Sequence, residues 1–348
     1  MAVELWVWGG FVAFIVAMLL LDLLVFHRRA HVVSVREALV WTTFWIVLAV
    51  AFGIGVWLWQ GQEKGLQYLT GYVIEKSLSV DNLFVFLLIF SYFSVPKRDE
   101  HKVLFWGILG ALVFRAGFIF LGVALIERFH WVLYIFGGVL VFTAVRMVVL
   151  REREVHPERN PVLRLFRKFA RVTPDYVEDK FFVRWKGVWF ATPLLVVLLV
   201  METTDIIFAV DSVPAIFAIT VDPFIIFTSN AFAILGLRAL YFALENALQR
   251  LRYLHYGLAA VLAFVGAKVF VSDFYKVPVE YALGVVGLVL LITTVASLQK
   301  TRHVARSAKP APQLPQDVHP HGPQSMKERP DQPREPGGAK RTEFSEEK

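Results

Sequence analysis

Residues 189–219 read WFATPLLVVLLVMETTDIIFAVDSVPAIFAI, an apolar run that carries three carboxylates inside it. As one helix, a run of this length would measure about 46 Å at 1.5 Å per residue. That is too long for the roughly 30 Å hydrocarbon core of a bilayer unless the helix is strongly tilted or broken. Ionisable side chains inside such a run are costly and persist where they are paired or line a polar site. The stretch therefore predicts a membrane-spanning helix that forms part of such a site.

The composition of the 348 residues leads to the same interpretation. Hydrophobic residues make up 57% and charged residues 19%, against roughly 45–50% and 25% in soluble proteins. We therefore predict an all-α polytopic membrane protein of the cell inner membrane. The absence of cysteine excludes disulfide scaffolds, thiol catalysis and thiolate metal sites. The net charge of +7 indicates membrane topology or contact with anionic lipid, not nucleic acid.

Nine segments are apolar enough to be predicted as spans. They cover residues 5–26, 39–59, 67–93, 103–126, 131–150, 189–219, 224–244, 254–272 and 279–298. Positively charged residues concentrate in loops on the inner side of a membrane. With the N-terminus outside, the inner loops and tail hold 28 Lys and Arg and the outer loops hold 3. The chain is therefore expected to have about nine transmembrane helices, with the N-terminus out and the C-terminus in.

The C-terminal segment differs in composition from the spans. Residues 299–348 contain 8 of the 16 prolines and 10 Lys or Arg, so they cannot bury enough apolar surface to fold. We predict a transmembrane transport domain over residues 1–298 and a disordered, basic, Pro-rich cytoplasmic tail over 299–348. Residues 151–188 form a long basic inner loop. An amphipathic piece at 163–170 could lie on the anionic leaflet, or the loop could simply connect two spans.

Two acidic segments inside the predicted spans share one frame. Glu75–Asn82 and Asp205–Ser212 each contain an acid, five residues, a second acid and a small polar residue. One span later, each is followed by a buried arginine, Arg115 or Arg238. By the predicted topology the first segment runs inward and the second runs outward. The pattern therefore predicts a three-plus-three inverted repeat, an arrangement that secondary transporters use to bind substrate near the membrane midplane.

The two acids of one segment cannot point the same way on a straight helix. At about 100° per residue, Glu75 and Asp81 lie about 120° apart. We therefore expect local unwinding, or a site shared between the repeats with some acids paired to the arginines. Pro214 supplies a helix break, because it lacks an N–H and clashes with the carbonyl of Val210. A carbonyl freed in this way, close to Asp211, would be a further oxygen ligand.

Oxygen donors dominate the candidate site, and they select Mg²⁺, Ca²⁺ or Mn²⁺ over Cu⁺ or Zn²⁺. The predicted metal ligands are Asp81 and Asp211, assisted by Glu75, Asp205 and Asn82 and followed by Glu202 and Asp22. The predicted supporting ion pairs involve Arg115, Arg238 and Lys268. No nucleophile–base pair, cofactor loop or Walker A pattern stands out, so we expect neither an enzyme nor a tightly bound cofactor.

At these residues the chain resembles the TerC/Alx membrane protein family. The matching motifs are Glu75–Asn82, Glu202–Ala215, Thr228–Tyr241, Leu21–Asp22, Phe26–Arg28 and Gly266–Lys268, and the resemblance covers about residues 1–298. This family is named for tellurium-ion resistance and is grouped with LysE-type exporters, which have three-plus-three inverted repeats. Its members have been linked to manganese export. The resemblance implies that Glu75, Asp81, Asp205 and Asp211 follow the metal path, whereas Val269 stands where the family usually has Met.

Three hypotheses follow, and they belong to different classes. The first is a secondary transporter that exports divalent cations, with Mn²⁺ as the first candidate and protons as a candidate counter-ion. The second is a membrane anchor of a tellurite or metal stress-response complex, acting through the basic loop and the tail. The third, a membrane redox modulator, ranks last because the sequence has no cysteine, haem-type His pair or quinone motif.

Overall fold

The computed structural model describes residues 5–27, 34–149, 160–185, 187–245, 254–272, 274–275 and 277–307. The chain divides into two units, Met1–Val304 and Ala305–Lys348. Of the second unit, the described residues are those at the end of the last helix. The helices are α1 (Leu5–His27), α2 (Val35–Gln60), α3 (Gln62–Tyr92), α4 (Lys97–Arg128), α5 (Val132–Val149), α6 (Pro161–Phe169), α7 (Pro193–Phe217), α8 (Pro223–Leu235), α9 (Leu237–Leu244), α10 (Leu254–Val271) and α11 (Val279–Ser307). Strands β1 (Phe182–Trp185) and β2 (Val188–Ala191) form an antiparallel hairpin.

The prediction of an all-α polytopic membrane protein is confirmed. In the described part of the chain, eight segments are long and apolar enough to cross a membrane: α1, α2, α4, α5, α7, α8 together with α9, α10 and α11. The predicted span at 67–93 corresponds to α3, which has 31 residues but carries Glu75, Lys76 and Asp81 in its middle. Helix α3 is long enough to span a membrane, but its charged residues exclude it from the eight apolar segments.

Local signals in the sequence fix several helix ends. Ser34 caps α2 by accepting a hydrogen bond from the Glu37 amide at 3.2 Å. Gly61 separates α2 from α3 with a φ of +93°, a conformation that favours glycine. Asp222 caps α8 and accepts from the amides of Phe224 and Ile225. The single-residue connection at Gly61 makes α2 and α3 packed neighbours.

The predicted span at 189–219 was too long. Helix α7 begins at Pro193 and has 25 residues, because residues 188–191 form β2 of the hairpin. At 1.5 Å per residue that is about 38 Å, a length that a tilted helix can fit to a bilayer. Within the basic loop, α6 is the amphipathic piece predicted at 163–170. It contacts α7, and Leu163 is buried, so this segment is docked on the transmembrane bundle.

Helix α11 runs past residue 299, the predicted start of the tail, and ends at Ser307. The division of the chain into a transport domain and a tail stays a prediction. The prediction of a disordered tail beyond that helix falls on residues 308–348, which lie outside the described part of the chain. The sixth of the eight segments, formed by α8 and α9, lies deepest in the protein, whereas α11 exposes most of its apolar surface. A peripheral helix with exposed Leu, Ile and Val is what contact with lipid requires.

The helix pairing has the form that the predicted repeat requires. If α3, α4 and α5 correspond to α7, α8–α9 and α10, then the contact of α3 with α8 corresponds to the contact of α7 with α4. Both contacts are extensive, and α5 packs along α10, its own counterpart. The inverted repeat and the membrane orientation stay predictions, and this exchange of partners supports the repeat.

Candidate functional site

Arg115 binds the first acid of both acidic segments. From α4, its Nη1 contacts a carboxylate oxygen of Glu75 on α3 and donates to Ser212 Oγ at 3.2 Å. Its Nη2 and Nε approach the two carboxylate oxygens of Asp205 on α7 at 3.2 and 3.4 Å. Arg115 and Glu75 are almost completely buried. Two carboxylates share one guanidinium, so the cluster has a formal charge of −1 when both acids are ionised.

The second acid of each segment faces the α5–α10 pair. Asp81 Oδ1 lies 3.9 Å from Nδ1 of His255, the second residue of α10. Asp211 Oδ1 accepts a hydrogen bond from Thr143 Oγ1 on α5 at 2.8 Å. The spacing of about 120° around each helix produces this division, because Arg115 lies on one side of α3 and α7 and the α5–α10 pair lies on the other. The expectation that some acids pair with an arginine is confirmed for Glu75 and Asp205.

A small cavity, lined mostly by apolar side chains, lies between α3, α4, α7 and the α8–α9 junction. It has a volume of about 20 Å³, and its polar lining comes from Ser79, Asn82, Glu202, Asp205 and Arg115. That volume holds about one water molecule or one desolvated ion. Among the described side chains, Ser79 Oγ and Glu202 Oε2 are buried and have no hydrogen-bond partner. Buried polar atoms normally have partners, so the cavity offers unsatisfied donors and acceptors to a small polar guest.

Arg238 does not join the acid cluster. Its Nη2 contacts Asp22 at 2.8 Å through both the carboxylate Oδ2 and the main-chain carbonyl. Both side chains are buried, with exposed fractions of 1% and 5%. Asp22 was predicted as a peripheral metal ligand, and the structure instead places it in an ion pair that holds α1 against α9. The predicted role of Arg238 as the partner of a buried acid is confirmed.

Pro214 does not break α7 where the sequence predicted a break. The helix continues through Pro214 to Phe217, so the proline lies in the last turn. The interruption occurs instead in the next span, at Gly236 between α8 and α9. There Lys76 of α3 donates from Nζ to the carbonyl of Ala233 at 3.1 Å. An ammonium group thus satisfies a carbonyl at the C-terminal end of α8, where the helix dipole favours positive charge.

Lys268 lies away from the acid cluster. It lines a large open pocket of about 1280 Å³ at the predicted outer end, together with Glu63, Lys64, Asp222 and Glu280. Lys64 and Asp222 form an ion pair there at 2.7 Å. Lys268 itself makes no ion pair with any described residue, because the acids of the bundle centre lie elsewhere. The supporting role of Lys268 stays a prediction.

The predicted ligands do not form one cage. Among the described residues, no three His, Asp or Glu side chains converge as a metal centre. Glu75 and Asp205 are held by Arg115, Asp81 and Asp211 face α5 and α10, and Glu202 and Asn82 line the small cavity. Sequence reasoning assigned no role to His255, Thr143 or Lys76. His255 lies near a helix end, Thr143 lies within an apolar pattern, and the partner of Lys76 follows only from the packing of α3 against α8.

Comparison with known proteins places this geometry in a family. Residues 60–305 match the profile described as "Integral membrane protein TerC family". A relative from Myxococcus xanthus, "Uncharacterized membrane protein STKORF319", is 53% identical over 307 residues, which cover 88% of this chain and 96% of that protein. A relative from Escherichia coli strain K12, "Putative membrane-bound redox modulator Alx", is 47% identical over 295 residues, covering 82% of this chain and 92% of that protein. No solved structure matches the chain.

Proposed function

The chain belongs to the TerC family of integral membrane proteins, and on that basis we propose that it is a secondary transporter that exports divalent metal cations, with Mn²⁺ as its cargo. The site would take the ion from the cell interior, so we place the protein in the inner membrane. Protons are the proposed counter-ion, because several carboxylates close together favour proton exchange when the metal leaves.

One observation carries the proposal: the second acids of the two acidic segments both face the α5–α10 pair. Asp81 contacts α10 and Asp211 contacts α5, while Arg115 neutralises part of the charge of the first acids. An acidic side chain inside a membrane is costly, and it is retained where it pairs with another group or lines the route of a transported ion. Because each second acid contacts the third helix of the other predicted repeat, the two contacts suit a site that opens alternately to the two sides.

Cargo selection follows from the donor atoms. The carboxylates of Asp81 and Asp211 and the amide oxygen of Asn82 are hard ligands that suit Mn²⁺, Mg²⁺ and Ca²⁺. The chain contains no cysteine, so soft thiolate ligation of Cu⁺ or Zn²⁺ is unavailable to it. In this proposal Arg115 has a positioning role, because it holds α3 and α7 together beside the path.

The Alx relatives are named for redox modulation. In this chain a redox role of its own would need a group other than a thiol, since cysteine is absent. A change in metal balance can alter the redox state of a cell indirectly, so a metal transporter is compatible with the name given to these relatives. We therefore rank transport above a direct redox role.

The test is Mn²⁺ flux into liposomes that contain the purified protein, with and without an imposed pH gradient. We expect saturable flux in the wild type and its loss in Asp81→Asn and Asp211→Asn, each with an unchanged melting temperature. Asp175→Asn is the matched control, because Asp175 is exposed in the basic loop. Full flux in both folded site variants would remove these acids from the path, and no flux of any divalent ion by the folded wild type would overturn the transport proposal.

A further inference from the structure

His255 lies between the two helices that face the second acids. Its Nε2 is 2.7 Å from the main-chain oxygen of Met147 on α5, and its Nδ1 is 3.9 Å from Asp81 Oδ1 on α3. The ring of Tyr256, the next residue on α10, stands edge-on to the imidazole. A carbonyl, a carboxylate and an aromatic ring, each from a different residue, are therefore among the groups that face the imidazole.

The contact with Met147 decides which nitrogen carries a proton. A main-chain carbonyl only accepts hydrogen bonds, so Nε2 must donate, and Nδ1 is the nitrogen directed toward Asp81. Metal-binding histidines usually show this arrangement, in which one ring nitrogen donates to a carbonyl or carboxylate and the other binds the metal. The bond to Met147 thus holds the imidazole in the orientation that a metal ligand needs.

The distance to Asp81 suits two ligands of one ion. With metal–ligand bonds of roughly 2.1 Å, one ion can bridge two ligand atoms up to about 4.2 Å apart. The observed 3.9 Å lies within that reach. Thr143, which donates to Asp211, precedes Met147 by one helical turn on α5, or about 6 Å along the axis. A cation bound at His255 would therefore lie about one helical turn from the hydrogen bond between Thr143 and Asp211.

We propose that His255 Nδ1 and the Asp81 carboxylate form a nitrogen–oxygen binding step for the transported ion at the predicted inner end of the α5–α10 pair, with water completing the coordination. The inference rests on the proposed transport of divalent cations and names the residue that sets its selectivity. Imidazole suits transition metals, whereas Mg²⁺ and Ca²⁺ prefer oxygen ligands throughout. His255 therefore favours Mn²⁺ over the two more abundant ions.

The direct test is pulsed electron paramagnetic resonance of Mn²⁺ bound to the purified full-length protein, prepared without a histidine tag. Nitrogen coupling from a directly bound imidazole is expected in the wild type, with the isotope shift that ¹⁵N-histidine labelling produces. The coupling should disappear in His255→Gln, in which an amide oxygen replaces the ring nitrogen. It should persist in His130→Gln, the matched control, since His130 lines the open outer pocket.

The second readout is competition for binding. In His255→Gln we expect Mn²⁺ affinity to fall by about tenfold or more, while Ca²⁺ affinity changes by less than about twofold. Absence of nitrogen coupling in the wild type, or coupling and selectivity unchanged in the variant, would overturn the inference. If His255→Gln does not fold, the isotope experiment on the wild type still decides. If the wild-type protein transports Mn²⁺ but shows no nitrogen coupling, the His255 binding step is refuted and transport is not. If it shows nitrogen coupling but no Mn²⁺ flux, transport is refuted and the binding step is not.

Discussion

Glu75 and Asp205 occupy corresponding positions in the two acidic segments, and both bind the guanidinium of Arg115. The three residues come from three different helices, α3, α7 and α4. Their side chains lie in the protein interior, where one cation partly balances two carboxylates. This shared contact explains how the two acidic segments can carry four acids in membrane-spanning helices and still leave two of them to face α5 and α10.

Removing the shared cation should destabilise the protein strongly. We expect Arg115→Met to lower the free energy of unfolding by about 3–5 kcal/mol, because two buried carboxylates lose their partner. In a Glu75→Gln/Asp205→Asn background the same change should cost much less. The measurement is a denaturation curve in detergent micelles. Arg146→Met is the control, since Arg146 is exposed on α5. Equal costs in both backgrounds would contradict a shared pairing.

The interruption at Gly236 should tolerate no side chain. A Cβ there would lie 2.9 Å from Trp45 Cβ and 3.0 Å from Lys76 Nζ. The φ of −83° suits any residue, so the cost comes from the contacts alone. We expect Gly236→Ala to destabilise by about 1–3 kcal/mol. On α5, Gly138→Ala meets nothing within 4 Å and should be neutral or stabilising by up to about 1 kcal/mol. Similar melting temperatures for the two variants would refute the close packing of Trp45 and Lys76 against Gly236.

The cavity beside Glu202 can be altered from α4. A Cβ at Gly110 would lie 2.1 Å from Glu202 Oε1, so the carboxylate must move in Gly110→Ala. We expect little loss of stability, because a flexible side-chain end gives way, but a Mn²⁺ flux about tenfold lower, equivalent to about 1.4 kcal/mol. Gly117→Ala on the same helix meets nothing within 4 Å and is the control. Wild-type flux in Gly110→Ala would remove Glu202 from the path.

Truncation after Ser307 separates transport from anchoring. The cut preserves α11, which ends at that residue, and removes the polar, Pro-rich segment. A transporter should retain Mn²⁺ flux within about twofold, because the acids and their partners all precede the cut. An anchor of a stress-response complex should instead lose its partners, as measured by co-purification from cells. Loss of flux in a truncated protein that folds normally would favour the second hypothesis.

Several residues of the candidate site could be predicted from the sequence alone. The repeated frame of Glu75–Asp81 and Asp205–Asp211 identified the important acids, and the pairing of some acids with the arginines was among the expectations, although the sharing of Arg115 by both first acids was not. Not every expectation held. Pro214 was assigned the helix break, yet α7 continues through it to Phe217, and the break fell at Gly236, against which Trp45 and Lys76 pack. Lys268 was assigned an ion pair but lines the outer pocket.

The sequence by itself determined that the protein is a helical membrane protein with acids at its centre, because apolar length and the cost of buried charge are local properties. Only the tertiary structure decided which partner each acid has. Arg115 lies 40 residues from Glu75 and 90 from Asp205 along the chain, and helical periodicity gives a direction around each axis but not the neighbour found there. Helix packing sets that neighbour, and it gives His255 and Thr143 contacts that no local pattern encodes.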